Sequence, residues 1–220
     1  MPEIDLELQN AVYDELVAYL KNDILERQLV HQYWIGLAGC PGSGKTTLAE
    51  GLKKRLGDLL TTIPMDGYHY YRRELDLMDD PERAHARRGA PFTFNAKRFV
   101  QDLELARQSF EGVFPAFDHG EGDPVEHMIF LKKETPVVLV EGNYVLLDEK
   151  PWSRLKKTVF DETWFIDIPV VESNRRVYFR HIENGVREFE AKNRVENNDS
   201  VNANHIMAVS PGRADRLIQF

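Results

Sequence analysis

The chain has one cysteine, Cys40, in 220 residues. No internal disulfide can form, and a reducing compartment fits that usage. Long apolar runs are missing as well: no stretch of about 18 apolar residues reads as a membrane span. Positive charge is not in excess, since 36 acidic residues outweigh 28 lysines and arginines and leave a formal net charge of −8. A general nucleic-acid or membrane-surface binder carries the opposite balance. The opening residues, MPEIDLELQN, lack the basic start of a secretory signal. Repeats and low-complexity tracts are absent, and His119, His127 and His181 have no cysteine partner at zinc-ligand spacing. The expectation is a cytoplasmic protein (the nucleus of a eukaryote also fits) with no nucleic-acid or membrane partner.

What is present suits one domain over 1–220, with an N-terminal amphipathic helix within 1–30 and a lid with its following loop at 175–200. Residues 3–29 place Leu8, Val12, Leu16, Leu20 and Leu25 near helical spacing. That helix could pack on its own domain or on a second copy, so a homodimer stays open. YWIGLAG at 33–39 reads as a buried strand, and KTTLAEGLKKRLG at 45–57 as a helix stopped by Gly57. LLTTIPM at 59–65 is a second strand. Residues 95–110 form a helix capped by Asn95, with Phe99, Leu103 and Ala106 on one side. PVVLVEG at 136–142 has almost no polar face, as a central parallel strand should. A further strand at 162–169 and a basic helix at 171–185 follow. Strands alternating with helices predict a three-layer α/β fold with a mostly parallel sheet. Residues 111–127 and 185–200 read as polar, turn-rich, mobile loops.

GCPGSGKT at 39–46 fits the phosphate-loop pattern G-x-x-x-x-G-K-S/T at every fixed position, after a strand and opening a helix. Gly39, Gly42 and Gly44 let the backbone curl so that N–H groups point inward at phosphate oxygens, with Ser43 in the curl. The helix start adds partial positive charge. Lys45 can reach the β- and γ-phosphates, the Thr46 hydroxyl can ligate Mg²⁺, and Thr47 can bond a neighbouring phosphate. Cys40 sits inside this loop, where a thiolate would face the phosphates, so it reads as tolerated rather than catalytic.

Two carboxylates end apolar runs. Asp66 follows the second strand and Glu141 the central one, and parallel strands gather their ligands at that edge. The guanine-reading motif of GTPases is absent. Asp66 is the candidate to take or orient the proton of an acceptor hydroxyl; an Asx turn with Gly67 is its structural alternative. Glu141 is the candidate metal-side acid beside Thr46. Tyr68, His69, Tyr70 and Tyr71 cannot all face the core, and Tyr68 is assigned to the acceptor pocket. Arg88, beside Gly89, has the strongest case in the basic run around it. Arg176 and Arg180 share one helix face and can reach a phosphate, with pairing to Glu172 and Glu183 as the alternative; Arg187 and Arg194 have a similar but weaker case. Asn197, Asn198 and Asn202 read as turn builders, with recognition of a base or a hydroxylated substrate as the alternative.

In order along roughly 35 to 187, the motifs GCPGSGKTT, MDGYHYY, RRGAPFTFN, FPAFDHGEGDP, VEGNYVL and RRVYFRHIENG resemble the phosphoribulokinase, uridine kinase and bacterial-type pantothenate kinase group of P-loop kinases. The resemblance implies the P-loop NTPase fold with a helical lid, and an ATP:alcohol phosphotransferase that uses Mg²⁺ and a small-molecule acceptor. It implies that Asp66 is the catalytic aspartate, that Glu141 is the acid near the metal, and that Arg176 and Arg180 are lid arginines. Arg88, His119 and Asp123 match acceptor-side positions. Uridine kinases usually carry Tyr-Asp where this chain has Phe117-Asp118. A nucleoside is the favoured acceptor, with pantothenate or a sugar or sugar acid as alternatives, and a non-catalytic ATP-binding switch as the reading of another class.

Overall fold

The structure, a computed structural model, describes residues 6–25, 31–118 and 120–219. Among these the chain runs α1 (Leu6–Tyr19), β1 (Tyr33–Gly39), α2 (Lys45–Leu56), β2 (Leu60–Pro64), α3 (Arg72–Leu75), α4 (Pro81–Ala86), α5 (Ala96–Ser109), β3 (Gly112–Asp118), β4 (Asp123–Leu131), β5 (Val137–Glu141), α6 (Leu155–Thr158), β6 (Glu162–Ile166), α7 (Val170–Glu183), α8 (Glu188–Arg194), α9 (Ser200–Val209) and β7 (Arg216–Ile218). Short single-turn helices occupy several of the joins.

β1, β5 and β6 are buried nearly end to end, which strands need when both faces of their sheet are covered. They form the middle of a five-stranded sheet in the order β2-β5-β1-β6-β7, every pairing parallel. Successive side chains point to opposite faces. Trp34, Ala38, Ile63, Val138, Val140 and Phe165 therefore pack against Phe99 and Leu103 of α5 and Ala203 and Ile206 of α9. Ile35, Leu37, Val137, Leu139 and Trp164 take the other face, against Leu48, Leu52 and Leu56 of α2 and Tyr13 and Leu16 of α1. The predicted three-layer α/β fold with a parallel sheet is the one observed.

Local chemistry sets the helix ends. The Asn95 side chain accepts from Arg98 N at 3.1 Å and caps α5 as predicted. Gly57 stops α2 at φ +57°, a backbone angle that suits glycine. The N-terminal helix is described over 6–25, where it passes from α-helix into one π-helical turn after Tyr19. The rest of the predicted 3–29 span and the side chains of Leu8 and Leu25 lie outside the described residues. Tyr13, Leu16 and Leu20 are its buried side. No described helix is long and apolar enough to cross a membrane.

Two predicted loops are regular structure. Within 111–127, residues 112–118 and 123–127 belong to the antiparallel β3–β4 pair. One face of it meets water and leaves Val113, Met128 and Phe130 exposed, so its strands lack the apolar run of a central strand. Residues 185–200 carry α8 and a π-helical turn, Val195–Asp199, leading into α9. Their polarity points inward: Asn198 Nδ2 donates to Arg88 O at 3.0 Å, and Asn202 Oδ1 accepts from Arg87 Nη2 at 2.8 Å. Asn197, Asn198 and Asn202 are thus helical residues rather than turn builders.

Candidate active site

The carboxyl ends of β1, β2 and β5 meet where α2 begins. Between β1 and α2 the backbone turns through Gly42 at φ +78° and Gly44 at φ +98°, angles that favour glycine. Space reinforces the choice at Gly42, where a Cβ would sit 2.8 Å from Ser173 O and from Val177 Cγ2 of α7. α7 is fixed to the loop at this point, because the buried Ser173 hydroxyl donates to Pro41 O at 2.5 Å. Lys45 folds back so that its Nζ donates to Cys40 O at 2.9 Å. Only 8% of Lys45 is exposed. Burial lowers its pKa, while the negative charges of Glu141 and Asp66 act to raise it.

Glu141 closes β5 and is nearly buried. Burial pushes its carboxyl up to about 7, Lys45 opposes that shift, and Asp66 adds to it. The Thr46 hydroxyl donates to Glu141 Oε1 at 3.0 Å. Asp66 lies in the single turn Met65–Tyr68 directly after β2. Its carbonyl accepts from His69 N at 3.2 Å, and His69 Nδ1 lies 2.9 Å from the same oxygen. A Cβ on Gly67 would collide with Pro115 O, so the hairpin packs against a position that only glycine fills.

Two cavities adjoin here. The smaller, about 230 Å³, is lined by Gly42, Gly44, Lys45, Thr46, Thr47 and Glu141, together with Arg176 and Arg180 of α7. The larger, about 480 Å³, is walled by His69, Arg72, Arg88, Phe94, Phe117 and residues of α7, α8 and α9. Pro41, Asp66, Asn143 and Arg180 line both. Gly39 and Ser43 shape the loop from beneath and line neither, although Ser43 Oγ is buried without a hydrogen-bond partner.

No protein-family model matches the chain. A Schizosaccharomyces pombe protein provisionally named uridine kinase C227.14 is 38% identical over 207 residues, covering 90% of this chain and 85% of that protein. The chain belongs to the uridine kinase-like family of P-loop kinases. The Saccharomyces cerevisiae ATP-dependent kinase YFH7 is 30% identical over 186 residues, covering 67% of this chain and 53% of its own length. A solved structure provisionally named a fructose transport system kinase, from Silicibacter sp. TM1040, superimposes with a TM-score of 0.77 at 30% identity, covering 92% of this chain and 98% of that one. The protein is therefore an ATP-dependent P-loop kinase.

The structure of the kinase gathers most of the predicted residues. Lys45, Thr46, Thr47, Asp66, Glu141, Arg176 and Arg180 border one cavity. Arg176 also keeps its predicted alternative partner, since its Nε donates to Glu172 Oε1 at 2.7 Å. Glu172 binds Arg175 through both oxygens, and Arg175 first, then Arg176, holds its carboxyl down at about 2. Arg180 has no ion-pair partner among the described residues. Arg88 lines the larger cavity, held by Gly122 O, Tyr70 O and Asp123 Oδ1. Asp123 does not line it; it anchors Arg88 at 2.8 Å and accepts from Arg72 N at 2.9 Å. His119 lies outside the described residues.

Tyr68 is the correction. It is 2% exposed, its ring meets Phe99 edge-on, and its hydroxyl donates to Asp102 Oδ2 at 2.9 Å. It packs in the core under α5, away from both cavities. The turn after β2 breaks the strand's alternation and presents His69 instead, set between Phe94 and Phe117 with tilted rings whose centroids are 4.0 and 4.9 Å away. Asn143 and Arg72 are further lining residues that sequence reasoning did not assign, and Arg194, read as a weaker phosphate-reaching arginine, lines the larger cavity and not the phosphate-loop one. Asn143 had a signal, its place right after Glu141-Gly142; Arg72 had none beyond local basic charge.

Proposed function

We propose that the kinase transfers the γ-phosphoryl group of ATP to a hydroxyl of a small metabolite in the larger cavity, with Asp66 as the proton acceptor. The observation that carries this reading is that Asp66 and Arg180 border both the phosphate-loop cavity and its larger neighbour. A group on that boundary can meet an acceptor from one side and a phosphate from the other. The acceptor oxygen forms the new bond to the γ-phosphorus, the bond to the bridging β,γ-oxygen breaks, ADP leaves, and the hydroxyl proton passes to the Asp66 carboxylate. Lys45, Arg176 and Arg180 offset charge on the transferring group. Alignment and the exclusion of water would do the rest of the work.

The Thr46 hydroxyl and the Glu141 carboxylate are hard oxygen donors 3.0 Å apart, a pair that fits Mg²⁺. Bound there, Mg²⁺ would neutralise β- and γ-phosphate oxygens. Glu141, buried and drawn toward protonation, gains from a nearby cation.

The name of the fission yeast relative supports a nucleoside acceptor, and that of the Silicibacter protein supports a sugar. The test is ADP release with Mg-ATP against nucleosides, sugars, sugar acids and pantothenate. One acceptor should stimulate release, and Asp66→Asn should lower kcat by about 100-fold or more while the KM for ATP holds. Near-full turnover in Asp66→Asn would remove the aspartate from the role.

A further inference from the structure

The larger cavity is basic in an acidic protein. Its walls bring together Arg72, Arg88, Arg180 and Arg194, against only Asp66 and Asp199. Asp199 is already engaged, with His181 Nε2 3.0 Å from its Oδ2. Arg180 faces the phosphate loop as well. Three arginines are left, and they come from three separate places: α3, the segment after α4, and the end of α8. Their convergence is not a by-product of one helix face.

Their partners are few. Arg88 is matched by Asp123 and is mostly buried, yet its Nε is left without a hydrogen-bond partner. Arg72 and Arg194 have no ion-pair partner among the described residues. Burial lowers the Arg88 pKa, Asp123 opposes that shift, and the charges of Arg72 and Arg194 stand close enough to add to it. Like charges held together repel, and the repulsion is relieved when an anion sits among them. A guanidinium group also presents a fork of donors that matches a carboxylate or a phosphate. A neutral nucleoside has hydroxyl and carbonyl groups to offer here but no charge.

We infer that the acceptor is itself an anion, a hydroxyl-bearing metabolite whose carboxylate or phosphate docks among Arg72, Arg88 and Arg194 while its hydroxyl faces Asp66. The inference rests on the proposed role of Asp66 at the boundary of the two cavities. The docking end and the reacting end then share one cavity, and charge pairing fixes which hydroxyl reacts.

The experiment uses acceptors in matched pairs that differ in the acid group: glycerol and glycerate, glucose and gluconate, ribose and ribose 5-phosphate, uridine and uridine 5′-monophosphate. ADP release with Mg-ATP should respond to an anionic member and not to its neutral twin, and the carboxylate and phosphate pairs tell the two sources apart. Arg72 and Arg194 are exposed, so Arg72→Gln and Arg194→Gln should fold normally. Each should raise the KM for that acceptor by about tenfold or more with little change in kcat or in the KM for ATP. Equal stimulation by the neutral twin, or an unchanged KM in both variants, overturns the inference. If no compound in either half of the panel stimulates release, the phosphotransfer reading fails. The anion inference is then decided by calorimetry of the same pairs on the enzyme saturated with Mg²⁺ and a non-hydrolysable ATP analogue. Tighter binding of the anionic twin, weakened in Arg72→Gln, sustains it, and equal binding overturns it.

Discussion

The Thr46 hydroxyl and Glu141 Oε1 lie 3.0 Å apart, which ties the first turn of α2 to the end of β5. If this pair holds the metal, Glu141→Gln keeps an oxygen for Thr46 to donate to but loses the charge. The Mg²⁺ concentration for half-maximal ADP release should rise about tenfold or more, with the fold intact by circular dichroism. An unchanged Mg²⁺ requirement would take Glu141 out of the metal site.

Lys45 should separate activity from stability. Its ammonium group is buried at a cost in desolvation that lowers its pKa. Lys45→Met keeps the length of the side chain and removes that cost. We expect kcat to fall by about 100-fold or more, as for loss of a donor to developing charge, with no drop in melting temperature. A loss of activity that merely tracked a loss of stability would count against a catalytic Lys45.

Tyr68 should behave in the opposite way. Tyr68→Phe removes the hydroxyl that donates to Asp102 and leaves the ring against Phe99. Stability in urea should fall by about 1–2 kcal/mol, while the KM for the acceptor stays put. A shifted acceptor KM at unchanged stability would return Tyr68 to the substrate pocket.

Gly67→Ala tests how Asp66 is held. The new methyl group meets Pro115 O and must push the turn away from the hairpin. Overpacking of this kind costs about 1–3 kcal/mol. Because the phosphate loop is untouched, kcat should fall while the binding of an ATP analogue is kept. Loss of both together would mean that the turn and the loop move as one.

Cys40 is 1% exposed, and burial pushes its thiol up to about 11 even though Lys45 acts in the other direction. The native protein should resist a disulfide reagent at pH 8 and react only when unfolded in urea. The unfolded thiol gives up its proton at lower pH than the folded one. This group's contribution to stability is therefore complete below about pH 9 and declines as pH rises toward 11. Melting curves of Cys40→Ala should fall less steeply over that window than those of the parent protein.

The phosphate loop could be read from the sequence because its chemistry is local: its fixed positions fall within eight consecutive residues, and strand and helix flank them. β1 and β5 were equally plain, since burial on both faces writes an unbroken apolar run. The β3–β4 hairpin was not, because its exposed face interrupts that run. The helices after Gly185 were hidden by distance. Asn198 meets Arg88, and Asn202 meets Arg87, across more than a hundred residues, so their polarity looked like that of solvent-facing loops. Tyr68 misled for a geometric reason: one tight turn after β2 decides which neighbour of Asp66 looks outward, and residue type does not reveal it. The basic wall made by Arg72, Arg88 and Arg194 exists only once three separate segments are folded together.

The bond from Ser173 to Pro41 makes α7 a lever with its fulcrum on the phosphate loop. At about 1.5 Å of rise per residue, Arg176 sits roughly 5 Å from that fulcrum and Arg180 roughly 10 Å. A tilt of about 10° would carry the backbone of Arg180 about 2 Å and that of Arg176 about half as far. Any tilt of α7 about that bond would thus move Arg180 about twice as far as Arg176.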